Sequence, residues 1–115
     1  SPSSLTTIKT SAFNGCSSLA QISFPASLKI IDQYAFACCS ALKDISFELP
    51  SSLKTIGDFA FNNCSSLEHI EIPRSVKSIG RSAFCRCTAL RTITIPASIN
   101  TNNIELLAST IVQRI

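Results

Sequence analysis

The sequence has no methionine, no tryptophan and only one histidine among its 115 residues. With one histidine and no pair of C-x-x-C elements, the ligands of a structural zinc site are missing, so we expect no metal. Neither G-x-x-x-x-G-K-S/T nor G-x-G-x-x-G occurs, which argues against the common phosphate-binding loops. We therefore expect no cofactor and no enzymatic activity.

Long apolar runs are also absent, although hydrophobic residues make up 45% of the chain and charged residues only 15%. No run approaches the roughly 18 residues that span a bilayer, so we expect no membrane insertion. No basic start followed by an apolar stretch is present, so no signal peptide is visible. The composition predicts one folded domain over residues 1–115. Because an initiator methionine is lacking, we interpret the chain as a mature product or an excised piece.

The net charge of +3 is unevenly distributed. Residues 73–95 hold five basic side chains and no acid, whereas residues 50–72 hold Lys54 and three acids. A nucleic-acid-binding protein more often spreads basic charge along one face, so we expect no nucleic-acid partner. The basic stretch supplies one candidate binding face, formed by Arg74, Arg81, Arg86 and Arg91.

A repeat unit of 23 residues accounts for most of the chain. The unit reads P-x-S-L/V-K/T-x-I-x-x-x-A-F-x-x-C-S/T-S/A-L-x-x-I-x-F/I. Four copies and a partial fifth occupy residues 2–24, 25–47, 50–72, 73–95 and 96–99. Its conserved positions form columns of identical residues: Phe13, Phe36, Phe61 and Phe84; Cys16, Cys39, Cys64 and Cys87; Leu19, Leu42, Leu67 and Leu90; Ile22, Ile45, Ile70 and Ile93. Regular recurrence of this kind predicts a solenoid of stacked turns.

The spacing of the repeats is interrupted once. The phenylalanine column recurs at steps of 23, 25 and 23 residues, because Glu48 and Leu49 are added before Pro50. The columns are intact on both sides, so we interpret the addition as a loop insertion, which solenoids tolerate.

The end of each unit has apolar residues at alternate positions, which predicts a short strand. We expect parallel strands at 19–24, 42–47, 67–72 and 90–95 within a single sheet. The following proline lacks an N–H group and ends each strand. The spacing from Tyr34 to Leu42 predicts turns or short helical segments on the opposite side.

These elements together resemble the BspA-like class of leucine-rich repeats. The resemblance covers residues 2 to about 99 and depends on the A-F-x-x-C element recurring four times in register. It implies a surface protein of bacteria or parasitic protists with a role in adhesion to host cells and matrix proteins. The family has no shared catalytic motif.

The two ends of the chain depart from the pattern. Asn100 begins a polar break, after which apolar residues recur at helical spacing, so we expect an amphipathic capping helix over 104–115. The first unit begins without a cap, which leaves self-association through the N-terminal end as a possibility.

The cysteine column is expected to be structural. Free cysteine behaves as a small buried hydrophobe, so we expect Cys16, Cys39, Cys64 and Cys87 to line the core without disulfides. Cys38 and Cys85 lie off the column. Unpaired thiols are in tension with an extracellular location and leave an intracellular location open.

The outward side chains of the strands form the main candidate binding site. They alternate with the inward isoleucines and face the inner curve of the solenoid, which is the usual binding face. His69 is among them, and a catalytic Cys–His pair is not expected because the column cysteines lie inside. The two outward columns are Gln21, Asp44, His69 and Thr92, and Ser23, Ser46, Glu71 and Thr94.

Two functions remain open at this point. The first is a protein-interaction module of a microbial cell-surface, adhesin-like protein that binds a host or matrix protein. The second is an intracellular or self-assembling scaffold, favoured by the uncapped start and the unpaired thiols.

Overall fold

The structure, a computed structural model, describes residues 4–100, 104, 106 and 109–115. These residues form short strands and no helix. The strands are β1 (Thr7–Ile8), β2 (Gln21–Phe24), β3 (Ile30–Ile31), β4 (Asp44–Phe47), β5 (Thr55–Ile56), β6 (His69–Glu71), β7 (Ser78–Ile79), β8 (Thr92–Ile95) and β9 (Ile111–Arg114).

The strands predicted at the end of each repeat unit are present, and all their pairings are parallel. In register, Gln21 lies opposite Asp44 in the β2–β4 pair, and His69 lies opposite Thr92 in the β6–β8 pair. The predicted parallel solenoid is therefore confirmed. We call the side of the stack formed by β2, β4, β6, β8 and β9 the front wall. It is not the single sheet that the sequence predicted, because β4 and β6 are not hydrogen-bonded to each other.

A second parallel sheet, which the sequence analysis missed, forms the side wall of the stack. Its strand order is β1-β3-β5-β7, and each strand has only two residues. Ile31 pairs with Ile8 on one side and Ile56 on the other. This sheet runs through four successive turns without a break, so it holds the turns in register independently of the front wall.

The third side, the turn wall, consists of stacked turns. Phe13 N–H donates to the carbonyl of Ala35 in the next unit at 2.7 Å, and Phe36 N–H donates to Ala60 at 2.8 Å. Two residues in each unit have left-handed backbone, with φ between 53° and 76°, which interrupts a helical conformation. Turns rather than short helices are therefore formed here. The left-handed residues are Ser11, Tyr34, Phe59 and Ser82, and Gly15, Cys38, Asn63 and Arg86.

The core lies between the three walls and is built from the predicted columns. Phe36 stacks on Phe61 and Phe61 on Phe84, each pair with ring centroids 5.4 Å apart and nearly parallel planes. Phe13 continues this stack at 5.1 Å but is itself exposed at the first turn. Leu42 and Leu67 are completely buried beside the rings. Each turn thus buries its apolar side chains mainly against the two adjacent turns.

The capping helix predicted over residues 104–115 is wrong where the structure describes it. Residues 111–114 form β9, which adds to the front wall with Ile111 opposite Thr92 and Arg114 opposite Ile95. The polar break at 101–103 and residues 105, 107 and 108 lie outside the described residues. Ile111 of β9 and Ile115, the residue after β9, are exposed rather than folded back over the core.

Three of the four column thiols are buried, and they do more than fill space. Cys64 Sγ donates to the carbonyl of Phe36 at 3.2 Å, and Cys87 Sγ donates to Phe61 at 3.1 Å. Cys39 makes the same contact with Phe13, whereas Cys16 is only half-buried. All four are free thiols. Each buried thiol therefore hydrogen-bonds to the preceding turn from inside the core.

We predict that Cys64→Ala lowers the free energy of unfolding by about 1 kcal/mol, because it removes buried volume and the hydrogen bond to Phe36. The measurement is urea denaturation followed by circular dichroism. Cys16→Ala is the matched control at the same repeat position, and it should cost clearly less. Equal losses in the two variants would contradict a stabilising role for the buried thiols.

Alkaline pH should also destabilise the fold through these thiols. Burial raises the pKa of the Cys39 thiol above its ordinary value of 9.0. Above about pH 9 the unfolded chain loses protons that the folded chain retains, so the unfolding free energy falls as pH rises. We predict a smaller fall between pH 8 and pH 10 in Cys39→Ala than in the wild-type protein. Identical pH profiles would refute this assignment.

Candidate functional site

The front wall is split between β4 and β6. At the regular junctions, Asp44 N–H donates to the carbonyl of Ala20 at 3.2 Å, and Thr92 N–H donates to Glu68 at 3.3 Å. The equivalent bond from His69 to Lys43 is not formed. At the same junction the side wall remains paired through Ile31 and Ile56. The turns are therefore separated only at the front.

The split coincides with the two-residue insertion. After β4, Glu48 N–H still bonds to the carbonyl of Phe24 at 2.9 Å, and the Glu48 carboxylate accepts a hydrogen bond from Ala26 N–H at 3.1 Å. These bonds hold the end of β4 against the preceding turn. The chain then bulges at Leu49, whose side chain is 75% exposed, before Pro50 begins the next unit. With the insertion, β4 remains hydrogen-bonded to β2 in the preceding turn, and β6 remains hydrogen-bonded to β8 in the following turn.

The opening forms a cleft with a volume of about 1080 Å³. Its walls are the two separated strands, with the exposed Leu49 on one side and Ile115 on the other. Ile45 and Phe47 of β4 are only half-buried here, although Ile70 and Ile72 at the corresponding positions of β6 are buried. The split therefore exposes apolar surface of β4 that is covered at the corresponding positions of β6.

Most of the predicted binding residues line this cleft. The two outward columns are exposed at all positions except Thr92 and Thr94, which are half-buried. Thr94 also forms a hydrogen bond with Gln113 of β9 at 3.2 Å. The predicted residues in the cleft are Asp44, Ser46, His69, Glu71 and Thr94. Gln21, Ser23 and Thr92 are not among its lining residues.

The rim of the cleft is slightly acidic. It contains the carboxylates of Asp44, Glu68 and Glu71 and the cations of Lys43 and Arg74. Lys43 Nζ lies 3.9 Å from Glu68 Oε2, and this exposed pair crosses the junction between the separated strands. The Lys43 charge is thereby directed to Glu68, which leaves Asp44 and Glu71 as the carboxylates offered to a ligand.

The predicted basic face is not a single surface. Arg74 lines the cleft beyond the end of β6, and Arg91 immediately precedes β8. Arg81 follows β7 at the side wall, and Arg86 has left-handed backbone within the turn wall. All four are exposed, but they lie at separate places around one turn of the solenoid.

The described residues contain no group of three or more His, Cys, Asp or Glu side chains arranged to hold a metal ion. No helix in the same part of the chain is long and apolar enough to cross a membrane. His69 lines the cleft, whereas the cysteine column lies behind the front wall, and no cysteine lines the cleft. The cleft thus does not bring His69 together with a cysteine.

Comparison with known families agrees with this description. The profile of the BspA type leucine rich repeat region matches residues 1–110 in six copies. No curated protein matches the chain.

Three solved structures share the fold. A leucine rich cell surface protein from Faecalibacterium prausnitzii A2-165 is 30% identical with a TM-score of 0.83, and the match covers 99% of this chain and 30% of that one. The leucine rich repeat protein of T. pallidum is 33% identical with a TM-score of 0.56, covering 77% and 51%. A leucine-rich repeat protein from Bacteroides ovatus, 24% identical with a TM-score of 0.56, covers 100% and 41% and shows the fold alone. The chain thus spans less than a third of the length of the first of these proteins.

The open junction predicts a local difference in amide exchange. The amide of His69 should exchange with deuterium faster than those of Asp44 and Thr92, which occupy the same position in adjacent units and are hydrogen-bonded. The measurement is residue-resolved exchange by NMR under native conditions. Equal protection of the three amides would show that the front wall is closed in solution.

Proposed function

Since the chain belongs to the BspA-type leucine-rich repeat family, we propose that it is a protein-interaction module of a microbial cell-surface protein and binds its partner in the front-wall cleft. The observation that carries the proposal is the convergence of five predicted outward residues on one cleft of about 1080 Å³. Pockets for small molecules are typically about 300–1,000 Å³. A cleft slightly larger than that range, open along two strands, favours a segment of polypeptide over a small metabolite.

The chemistry of the cleft supports a protein partner. Leu49, Phe47 and Ile115 offer apolar surface, and Asp44 and Glu71 offer carboxylates beside it. Protein interfaces combine an apolar centre with a polar rim in this way. The placement at the cell surface is supported by the Faecalibacterium prausnitzii protein, which is described as a leucine rich cell surface protein. A host or matrix protein is the partner class that we propose.

An intracellular or self-assembling scaffold is the second candidate, and the free thiols of the cysteine column favour it, because free cysteines are typical of a reducing compartment. Sedimentation velocity over a range of protein concentrations separates the candidates, because a scaffold must form larger species without any added partner.

The proposed function is tested by binding to extracellular matrix proteins. Immobilised protein is incubated with a matrix extract, and the affinity of each retained protein is then measured. We predict that His69→Ala with Glu71→Ala weakens binding by about tenfold or more, equivalent to about 1.4 kcal/mol. Both side chains are exposed, so the fold should be preserved.

The matched control is Gln21→Ala with Ser23→Ala, which removes the same two column positions outside the cleft and should leave the affinity unchanged. Arg81→Glu with Arg86→Glu tests the basic residues. Binding through those residues would weaken steeply with added salt, since screening acts within about 8 Å at physiological ionic strength. Retention of no protein, or full affinity in the cleft variant, would reject the proposed function.

A further inference from the structure

We propose that the cleft binds its partner by strand addition, with one extended segment of the partner entering between β4 and β6 and hydrogen-bonding to their exposed edges. This inference rests on the proposed function and specifies its binding mode. It commits to a polypeptide segment in extended conformation as the occupant.

The unpaired backbone groups at the split are the reason for choosing an extended polypeptide segment as the occupant. Residues 44 and 48 of the β4 segment donate toward β2, through Asp44 N–H and Glu48 N–H. Successive residues of a strand point their backbone groups to opposite sides, so Ile45 and Phe47 present theirs to the cleft. On β6, the Glu68 carbonyl and Ile72 N–H bond toward β8.

By the same alternation, His69 and Glu71 present their N–H and carbonyl groups to the cleft. Two facing strand edges therefore line one opening. An extended peptide carries the matching donors and acceptors along both of its sides, whereas a helix has already satisfied its own. An added strand would hydrogen-bond to the exposed backbone groups of β4 and of β6 at the same time.

The shape of the opening sets the direction of entry. Near the start of the strands, Ser66 Oγ donates to the Ser40 carbonyl at 2.7 Å, and the Lys43–Glu68 pair lies just beyond. These contacts hold that end of the junction together. The opposite end, beside the bulge at Leu49, has the exposed apolar side chain and the insertion. The segment therefore enters from the Leu49 end.

An inserted strand requires β4 and β6 to lie about 10 Å apart, which is two strand spacings. In the structure Cα atoms of the two strands approach within 8 Å of each other, so the front of the junction must widen on binding. The intact side wall limits how far the turns can separate, so we expect a short segment of about three or four residues, matching the lengths of β4 and β6.

The side chains around the opening predict the sequence pattern of the segment. One face of an inserted strand points into the core between Ile45 and Ile70, which calls for apolar residues. The other face points outward between Asp44 and Glu71, which favours Lys or Arg. Because side chains alternate along a strand, we expect apolar and basic residues at alternate positions.

The probe for this inference is a phage-displayed library of random seven-residue peptides, selected on the wild-type protein. We expect the selected peptides to share the alternating apolar and basic pattern. A synthetic copy of the strongest binder is then N-methylated at one backbone amide at a time. Successive amides of the inserted segment donate in turn to β4 and β6, so methylation at any amide within the segment should weaken binding by about tenfold or more, with little effect at amides outside it.

The second arm removes the opening while keeping the side chains of β4 and β6. Deleting Glu48 and Leu49 restores the 23-residue step and should let β4 pair with β6. Protection of the His69 amide against exchange verifies this closure. We expect the deletion to weaken peptide binding by about tenfold or more, whereas Glu48→Ala with Leu49→Ala, which keeps the chain length, binds substantially better than the deletion.

Failure of this inference is distinguishable from failure of the proposed function. Peptides that bind the closed deletion variant as well as the wild type, or that tolerate N-methylation at every amide, overturn strand addition. Selection of no peptide overturns it as well. In each case the matrix-binding measurement with the His69 and Glu71 variant still decides whether the outward side chains bind a folded protein. If the deletion variant does not fold, the N-methylation series on the wild-type protein decides alone.

Discussion

Register between successive turns is the constraint on which this structure depends. Each unit places its residues opposite their equivalents in the next unit, so that hydrogen bonds form along three walls and identical side chains meet in the core. The ring stack of Phe36, Phe61 and Phe84 and the thiol contacts of Cys64 and Cys87 exist only because the step is constant. The free energy of unfolding of such a stack is approximately a sum of contributions from each pair of adjacent turns. An irregular step in the repeat therefore disturbs only one junction.

The same constraint explains what the sequence could predict. Columns of identical residues determine which side chains meet, so the core and the parallel front-wall strands were correctly predicted. The two-residue strands of the side wall were missed because a stretch such as Thr55–Ile56 is too short to show any periodicity. The helix predicted over residues 104–115 is wrong at residues 111–114, which form β9. Ile111, Val112 and Ile115 fit helical spacing, but pairing with β8 outweighed that local pattern.

The sequence indicated which side chains point outward at the candidate site, but not that two strands separate there to form a cleft. The outward columns follow directly from strand alternation, and Asp44, His69 and Glu71 indeed line the cleft. The insertion of Glu48 and Leu49 was visible as an irregular step, yet its effect depends on tertiary contacts. Glu48 remains bonded to the preceding turn, so the extra length separates the front wall rather than forming an external loop. The cleft in which we propose that the partner binds is thus formed where the spacing of the repeat is irregular.

The split in the front wall also has a mechanical consequence. A force that pulls the two ends of the solenoid apart acts along the hydrogen bonds between turns, and it loads the walls at each junction together. The two adjacent junctions share that load among three walls, whereas the junction between β4 and β6 has no strand pairing in the front wall and depends mainly on the side wall and the turn wall. Under tension this junction therefore extends more readily than the two beside it. In a protein held at both ends, the cleft would widen before those two junctions yield.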